Sequence, residues 1–218
     1  MDFIKYNFGP ELMSVNIDLQ LCNELLTIGK NELLIDEKVK SISFDSSFKY
    51  TPQNVSYFKD KICVYIENYV KEISIRRELP NYNFKYHLED LWINFQKTKD
   101  FNAPHYHSSD ISFVIYIDIP EKIKLESSID RGFKNGSISF MYGQNLRKND
   151  PNNFTFSNVV NSFISPITQI SHLPSNGEMF IFPSYLSHYV SPFFTIDVER
   201  ISVAGNINLV DGNKKTIL

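Results

Sequence analysis

The stretch PHYHSSDISFVIYIDI, residues 104–119, places two histidines two positions apart in a polar loop and runs directly from them into a strongly β-forming segment. Residues two apart in an extended chain point to the same side. His105 and His107 can therefore offer imidazole nitrogens to one metal ion, at about 2.1 Å each, from the mouth of a β-barrel. Short β-like runs surround this stretch on both sides: LWINFQ, GSISFMYG, FISPITQISH, EMFIFPS, SHYVSPF and RISVAGNINLV. Their regular recurrence, punctuated by Asn-Gly and Pro-Ser, predicts a mainly β sandwich or jelly roll. Asn135-Gly136 before SISFMY is a hairpin signal, and Asn145–Asn153, rich in Asn with Asp and Pro, reads as a loop.

Upstream of this β region the pattern is helical. Leu19, Leu21, Cys22, Leu25, Leu26 and Ile28 make an apolar stripe within Asp18–Gly29, closing on a glycine suited to a C-cap. Thr51-Pro52 is an N-cap and first-turn pair. After it Val55, Phe58, Ile62, Ile66, Tyr69, Val70 and Ile73 recur at three- and four-residue steps. Both helices are expected to cover a sheet. Residues 1–218 thus read as one domain, with an α-rich flank over 1–79 and a β core over 80–218.

With 22% charged residues, 42% hydrophobic residues and a formal net charge of −3, the composition is that of an ordinary soluble chain. Basic residues are mixed with acidic and polar neighbours, so no nucleic-acid-tracking face is evident. No run of about 18 apolar residues suggests a membrane span, and the N-terminus lacks signal-peptide character. The expected location is the cytoplasm, or the host-cell cytoplasm if the gene is viral; assembly into an oligomer is left open. Cys22 and Cys63 sit in helical patterns and read as buried, reduced thiols.

A third metal ligand must come from elsewhere, and His188 in FPSYLSHYVSP is the best placed, opening another predicted strand. His87 and His172 have no such partners and read as structural. Arg200 falls in a strand otherwise filled largely with apolar residues, and a buried arginine requires an anionic partner. A dicarboxylate met bidentately by the guanidinium, with Ser202 two residues along on the same face, meets that need. An internal ion pair with Glu199 or Asp197 would meet it as well.

The order of parts, INFQ, PHYH, a β run, GEMFIFPSYLSHYVSP and ERISVAGNI, resembles the 2-oxoglutarate/Fe(II)-dependent oxygenases. The likeness is closest to a small subfamily common in tailed phages and marine bacteria, and it covers roughly Leu91 to Leu209. It implies a double-stranded β-helix (jelly roll, cupin-like), Fe(II) as metal, 2-oxoglutarate as co-substrate and O2 as oxidant. It puts ligands on His105 and His188 and the co-substrate's C5 carboxylate on Arg200 with Ser202. Nucleic-acid-demethylating members place a co-substrate-binding asparagine at a spacing similar to that of Asn94. Prolyl hydroxylases often add a strand tyrosine, which Tyr116 matches. For both residues an ordinary strand position fits the sequence equally well. The usual second ligand is an acid two residues after the first histidine; here that position is His107, with Asp110 as the alternative.

The expected activity is hydroxylation of a substrate with decarboxylation of 2-oxoglutarate to succinate. The substrate is a protein side chain, a nucleobase or a small molecule, and Trp92, Phe101, Tyr106 and Tyr185 are candidate wall residues. Two other readings stand beside this one: a cupin-like three-histidine dioxygenase that does not use 2-oxoglutarate, and a non-catalytic jelly-roll scaffold.

Overall fold

A computed structural model describes residues 4–7, 9–32, 46–80, 83–129, 135–143 and 169–212. In chain order its elements are β1 (Ile4–Asn7), β2 (Glu11–Asn16), α1 (Leu19–Glu32), β3 (Ser47–Lys49), α2 (Pro52–Arg76), β4 (Phe84–Gln96) and β5 (Asn102–His105). There follow β6 (Ile111–Asp118), α3 (Glu121–Ile129), β7 (Ile138–Met141), β8 (Gln169–His172), β9 (Glu178–Pro183), β10 (Ser187–Val190) and β11 (Arg200–Asp211). Among the described residues the strands form a seven-stranded sheet in the order β1-β2-β9-β6-β11-β4-β3 and a four-stranded sheet in the order β5-β10-β7-β8. All their pairings are antiparallel.

The apolar runs of the central strands follow from burial on both faces of the large sheet. Along β6, Ile111, Phe113, Ile115 and Ile117 join a core with the α1 and α2 residues Leu25, Phe58, Ile62, Ile66 and Tyr69. The alternate residues Val114 and Tyr116 join a second core, with Phe140 of the small sheet. β9 divides in the same way, Met179 and Ile181 to the helices and Phe180 and Phe182 to the small sheet. A strand covered on both sides reads as a continuous hydrophobic run. On β4 and β11 the helix-facing positions are apolar (Ile93, Phe95, Ile201, Val203). Their alternates are Trp92, Asn94 and Gln96, and Arg200 and Ser202, and these fall on the face toward the small sheet. Polar side chains are thereby set between the two sheets.

Three sequence expectations are corrected. The flank up to Leu79 is more than a helical cover, because it supplies β1, β2 and β3 to the large sheet; β1 and β3 are only four and three residues long, and β2 is buried at every position but its last, so none shows an alternation. Gly29 does not cap α1, which runs on to Glu32. A Cβ there would lie 2.5 Å from Ile93 Cδ1 and 2.7 Å from the Tyr50 hydroxyl, so this glycine lets the helix approach the sheet. Asn135-Gly136 does form a turn, with Gly136 at φ 72°. It leads from the α3 side into β7, whose partners are β8 and β10, so it is not the tip of a hairpin.

The second helix forms as read: Thr51 caps it, accepting from the Asn54 N–H at 3.4 Å, with Pro52 in the first turn. Cys22 and Cys63 are buried and free. His172 is tied to Glu178 at 3.0 Å, and His87 lies on β4. The loop Asn145–Asn153 lies outside the described residues. No described helix is long and apolar enough to cross a membrane.

Candidate functional site

β5 and β10 bring the first two histidines together. His105 ends β5, and its Cα partner on β10 is His188; their ring centroids are 4.3 Å apart. His107 is held by its backbone, whose N–H donates to the Ser184 carbonyl at 2.9 Å. Its ring centroid lies 5.1 Å from that of His105 and 5.3 Å from that of His188. One nitrogen from each ring falls within 4.8 Å of the others. Three convergent imidazoles can hold one metal ion.

The backbone orients two of these rings in the same way. His105 Nδ1 lies 2.7 Å from the Ala103 carbonyl and His188 Nδ1 2.9 Å from the Leu186 carbonyl. A carbonyl can only accept, so Nδ1 carries the proton and Nε2 presents its lone pair. The third ring, His107, packs against Trp92 at 5.9 Å. Phe182 and Phe140 press on His188, at 4.8 Å and 6.1 Å. Burial, helped by the adjacent His105, pushes His188 down to about 3. The same two causes push His107 down to about 4, with Asp90 acting in the opposite sense. Both rings are therefore neutral at physiological pH, the state a ligand requires. Asp110 is turned elsewhere, its carboxylate accepting from the Leu209 N–H at 2.7 Å. The structure brings His107, and not Asp110, to the other two histidines.

Arg200 opens β11 opposite Gln96 of β4 and is 2% exposed. Its guanidinium donates to the Gly136 carbonyl and to Gln96 Oε1. Its carbon lies 5.4 Å from the centre of the Tyr116 ring. Gln96 is itself oriented, its Nε2 donating to the carbonyls of Asp100 at 2.5 Å and Ser191 at 3.5 Å. Arg200 Nε has no hydrogen-bond partner, and among the described residues no carboxylate pairs with this guanidinium, neither Glu199 nor Asp197. Burial pulls its pKa down, yet an arginine stays charged in a protein. Among the described residues it is a buried cation compensated only by neutral oxygens and an aromatic face.

The remaining polar candidates form one row across four neighbouring strands. Ser47 on β3 is the Cα partner of Asn94, Asn94 that of Ser202, and Ser202 that of Tyr116. Along it the Ser47 hydroxyl donates to Asn94 Oδ1 at 2.6 Å, and Asn94 Nδ2 donates to the Ser202 hydroxyl at 3.4 Å. Asn94, Tyr116, Arg200, Ser202, Trp92 and the three histidines line a single narrow cavity between the sheets. Phe101, Tyr106 and Tyr185 are exposed and do not line it. Sequence reading missed Gln96, Ser47 and Ser184. Gln96 stood in the quoted run INFQ, but only the β4–β11 register shows that it faces Arg200.

A protein-family model described as "Putative 2OG-Fe(II) oxygenase" matches residues 90–206. No curated protein matches the sequence. Among solved structures the chain is similar to the non-heme alpha-ketoglutarate-dependent epimerase SnoN of nogalamycin biosynthesis, at 16% identity and a TM-score of 0.56 over 92% of this chain and 76% of that one. It is also similar to a Pseudomonas putida prolyl-4-hydroxylase, at 12% identity and TM-score 0.55 over 92% and 93% of the two chains. A third likeness is to the viral collagen prolyl hydroxylase of Paramecium Bursaria Chlorella virus-1, at 14% identity and TM-score 0.53 over 91% and 96%. At these identities the likeness is one of fold.

Proposed function

This chain belongs to the 2OG-Fe(II) oxygenase family, and on that footing we propose that it hydroxylates a C–H bond of its substrate while 2-oxoglutarate is decarboxylated to succinate. The observation that carries this reading is the buried Arg200, paired with no carboxylate among the described residues, facing the same cavity as three convergent imidazoles. A buried cation without an acid is costly, and a dicarboxylate entering from the metal side relieves that cost.

In this reading the Nε2 atoms of His105 and His188 and a ring nitrogen of His107 hold the iron. Arg200 grips the far carboxylate with the Ser202 hydroxyl beside it. Ser47 takes the Asn94 carbonyl oxygen, so that the Asn94 amide presents its N–H groups and adds a donor. Tyr116 lies under the guanidinium and fixes its plane. Trp92, Phe140 and Phe182 exclude water around the imidazoles. Bound Fe(II) supplies the redox chemistry: O2 and 2-oxoglutarate are consumed, succinate and CO2 leave, and one oxygen atom enters the substrate as hydroxyl. The substrate is a protein side chain, a nucleobase or a small molecule, and the site of action is the cytoplasm.

The test is anaerobic titration of the purified protein with Fe(II), then with 2-oxoglutarate, followed by succinate measurement on admitting O2. Saturable binding of both and release of succinate are expected, with metal binding lost in H188A. Failure to bind Fe(II) with or without 2-oxoglutarate overturns the reading.

A further inference from the structure

The charge of the site leads one step beyond the functional reading on which it rests. All three metal-facing side chains are neutral ligands, because an imidazole binds metal only in its unprotonated form. Among the described residues, those lining the cavity include one formal charge, Arg200, and no carboxylate. Nearby acids are committed elsewhere: Asp110 to the Leu209 amide at 2.7 Å, Asp90 to Lys49 at 2.9 Å and Glu178 to His172 at 3.0 Å. A divalent ion added to Arg200 brings the site to three positive charges, and the dianion 2-oxoglutarate leaves one in excess. An aspartate in place of His107 would bring the same count to zero. Charge held in a partly dry cavity acts far more strongly on its surroundings than it does in water.

The opening of the cavity shows where compensation enters. Arg200 and His188 are buried, whereas His105 and His107 are only half-buried. The histidine end is thus the side that a further ligand can reach. We propose that the site takes a second anion beside 2-oxoglutarate, a carboxylate or phosphate monoanion at the His105–His107 end. The substrate itself or a free inorganic anion supplies it.

The full-length protein is loaded anaerobically with Co(II), saturated with 2-oxoglutarate, and titrated with acetate or with neutral acetamide while the cobalt absorption is followed. Acetate is expected to bind at least tenfold more tightly than acetamide. That preference is expected to collapse in H107D, which restores the missing negative charge, and to persist in H107N, which does not. Parallel titrations with methyl phosphate and inorganic phosphate separate the sources: acetate or methyl phosphate binding more tightly points to the substrate, inorganic phosphate binding more tightly to a free inorganic ion. Equal binding of acetate and acetamide to the wild-type protein overturns the proposal, and so does an undiminished acetate preference in cobalt-loaded H107D. If H107D does not hold cobalt, the wild-type comparison decides alone. If 2-oxoglutarate fails to bind before any acetate is added, the functional reading itself has failed and this inference falls with it.

Discussion

Gln96 is the residue whose chemistry determines how much of the Arg200 charge stays available. A carboxamide holds the guanidinium without neutralising it, and the donation of Gln96 to the Asp100 and Ser191 carbonyls keeps its oxygen toward Arg200. An acid at the same place would claim the charge. Q96E is therefore expected to weaken 2-oxoglutarate binding at least about tenfold, worth roughly 1.4 kcal/mol, as read by calorimetry on Ni(II)-loaded protein. Glu178 provides a pH test remote from the metal position. Burial pushes its carboxyl up, but donation from His172 and from the Ser175 N–H outweighs this and holds it below its ordinary 4.5. A lowered folded-state pKa means that the unfolded chain binds more protons as the solution is acidified through that window. The stability contributed is present above about pH 4.5 and lost as pH falls through the lowered value. Urea melts of wild type and E178Q should converge as pH is taken from 6 to below that window. At this scale the histidine pair, His188 and Arg200 were legible, because each residue type is out of place in its local pattern. His107 was preferred to Asp110 on its spacing alone; what turns Asp110 away, its carboxylate accepting from the Leu209 amide, was not legible, because it depends on the pairing of neighbouring strands.

Elements were legible where local chemistry marks their ends. Thr51-Pro52 announces α2, and T51A is expected to cost about 1 kcal/mol in a denaturant melt by removing the cap. β1, β2 and β3 carry no such marks and exist because neighbouring strands offer edges to pair with. Gly29 shows how a local rule misleads: a glycine near a helix end suggests a cap, but this one is required by the closeness of Ile93 and Tyr50. Gly205 makes the same point within a strand, since a Cβ there would lie 2.5 Å from Phe113 Cζ and 2.6 Å from the Asp90 carbonyl. Because one of those atoms is backbone, the strain cannot be relieved by a rotamer change. G205A is expected to lower stability by about 2 kcal/mol or more. G143A, at φ 79° with open space around the added carbon, is expected to cost about 1 kcal/mol.

In the whole molecule the two cores share one sheet, and the inter-sheet core is where the cavity lies. The jelly roll was legible from the strand runs. The contribution of the first 79 residues to that sheet was not, because sheet pairing is non-local. A chain beginning at Phe84 would lose β1, β2 and β3 from the edges and the helices from one face. It is expected to show no cooperative thermal transition by circular dichroism. β5 has a consequence at the same scale. Among the described residues it is the terminal strand of the small sheet, joined to it through β10 alone, and it carries His105 opposite His188. An ion shared by those two rings is a staple across a seam whose register shifts between its two paired positions, His188–His105 and Val190–Asn102. Chelation should then raise amide exchange across β5 first. A detached β5 would bare the flank of β10 to other chains, so metal-stripped protein should polymerise on storage while metal-loaded protein stays dispersed.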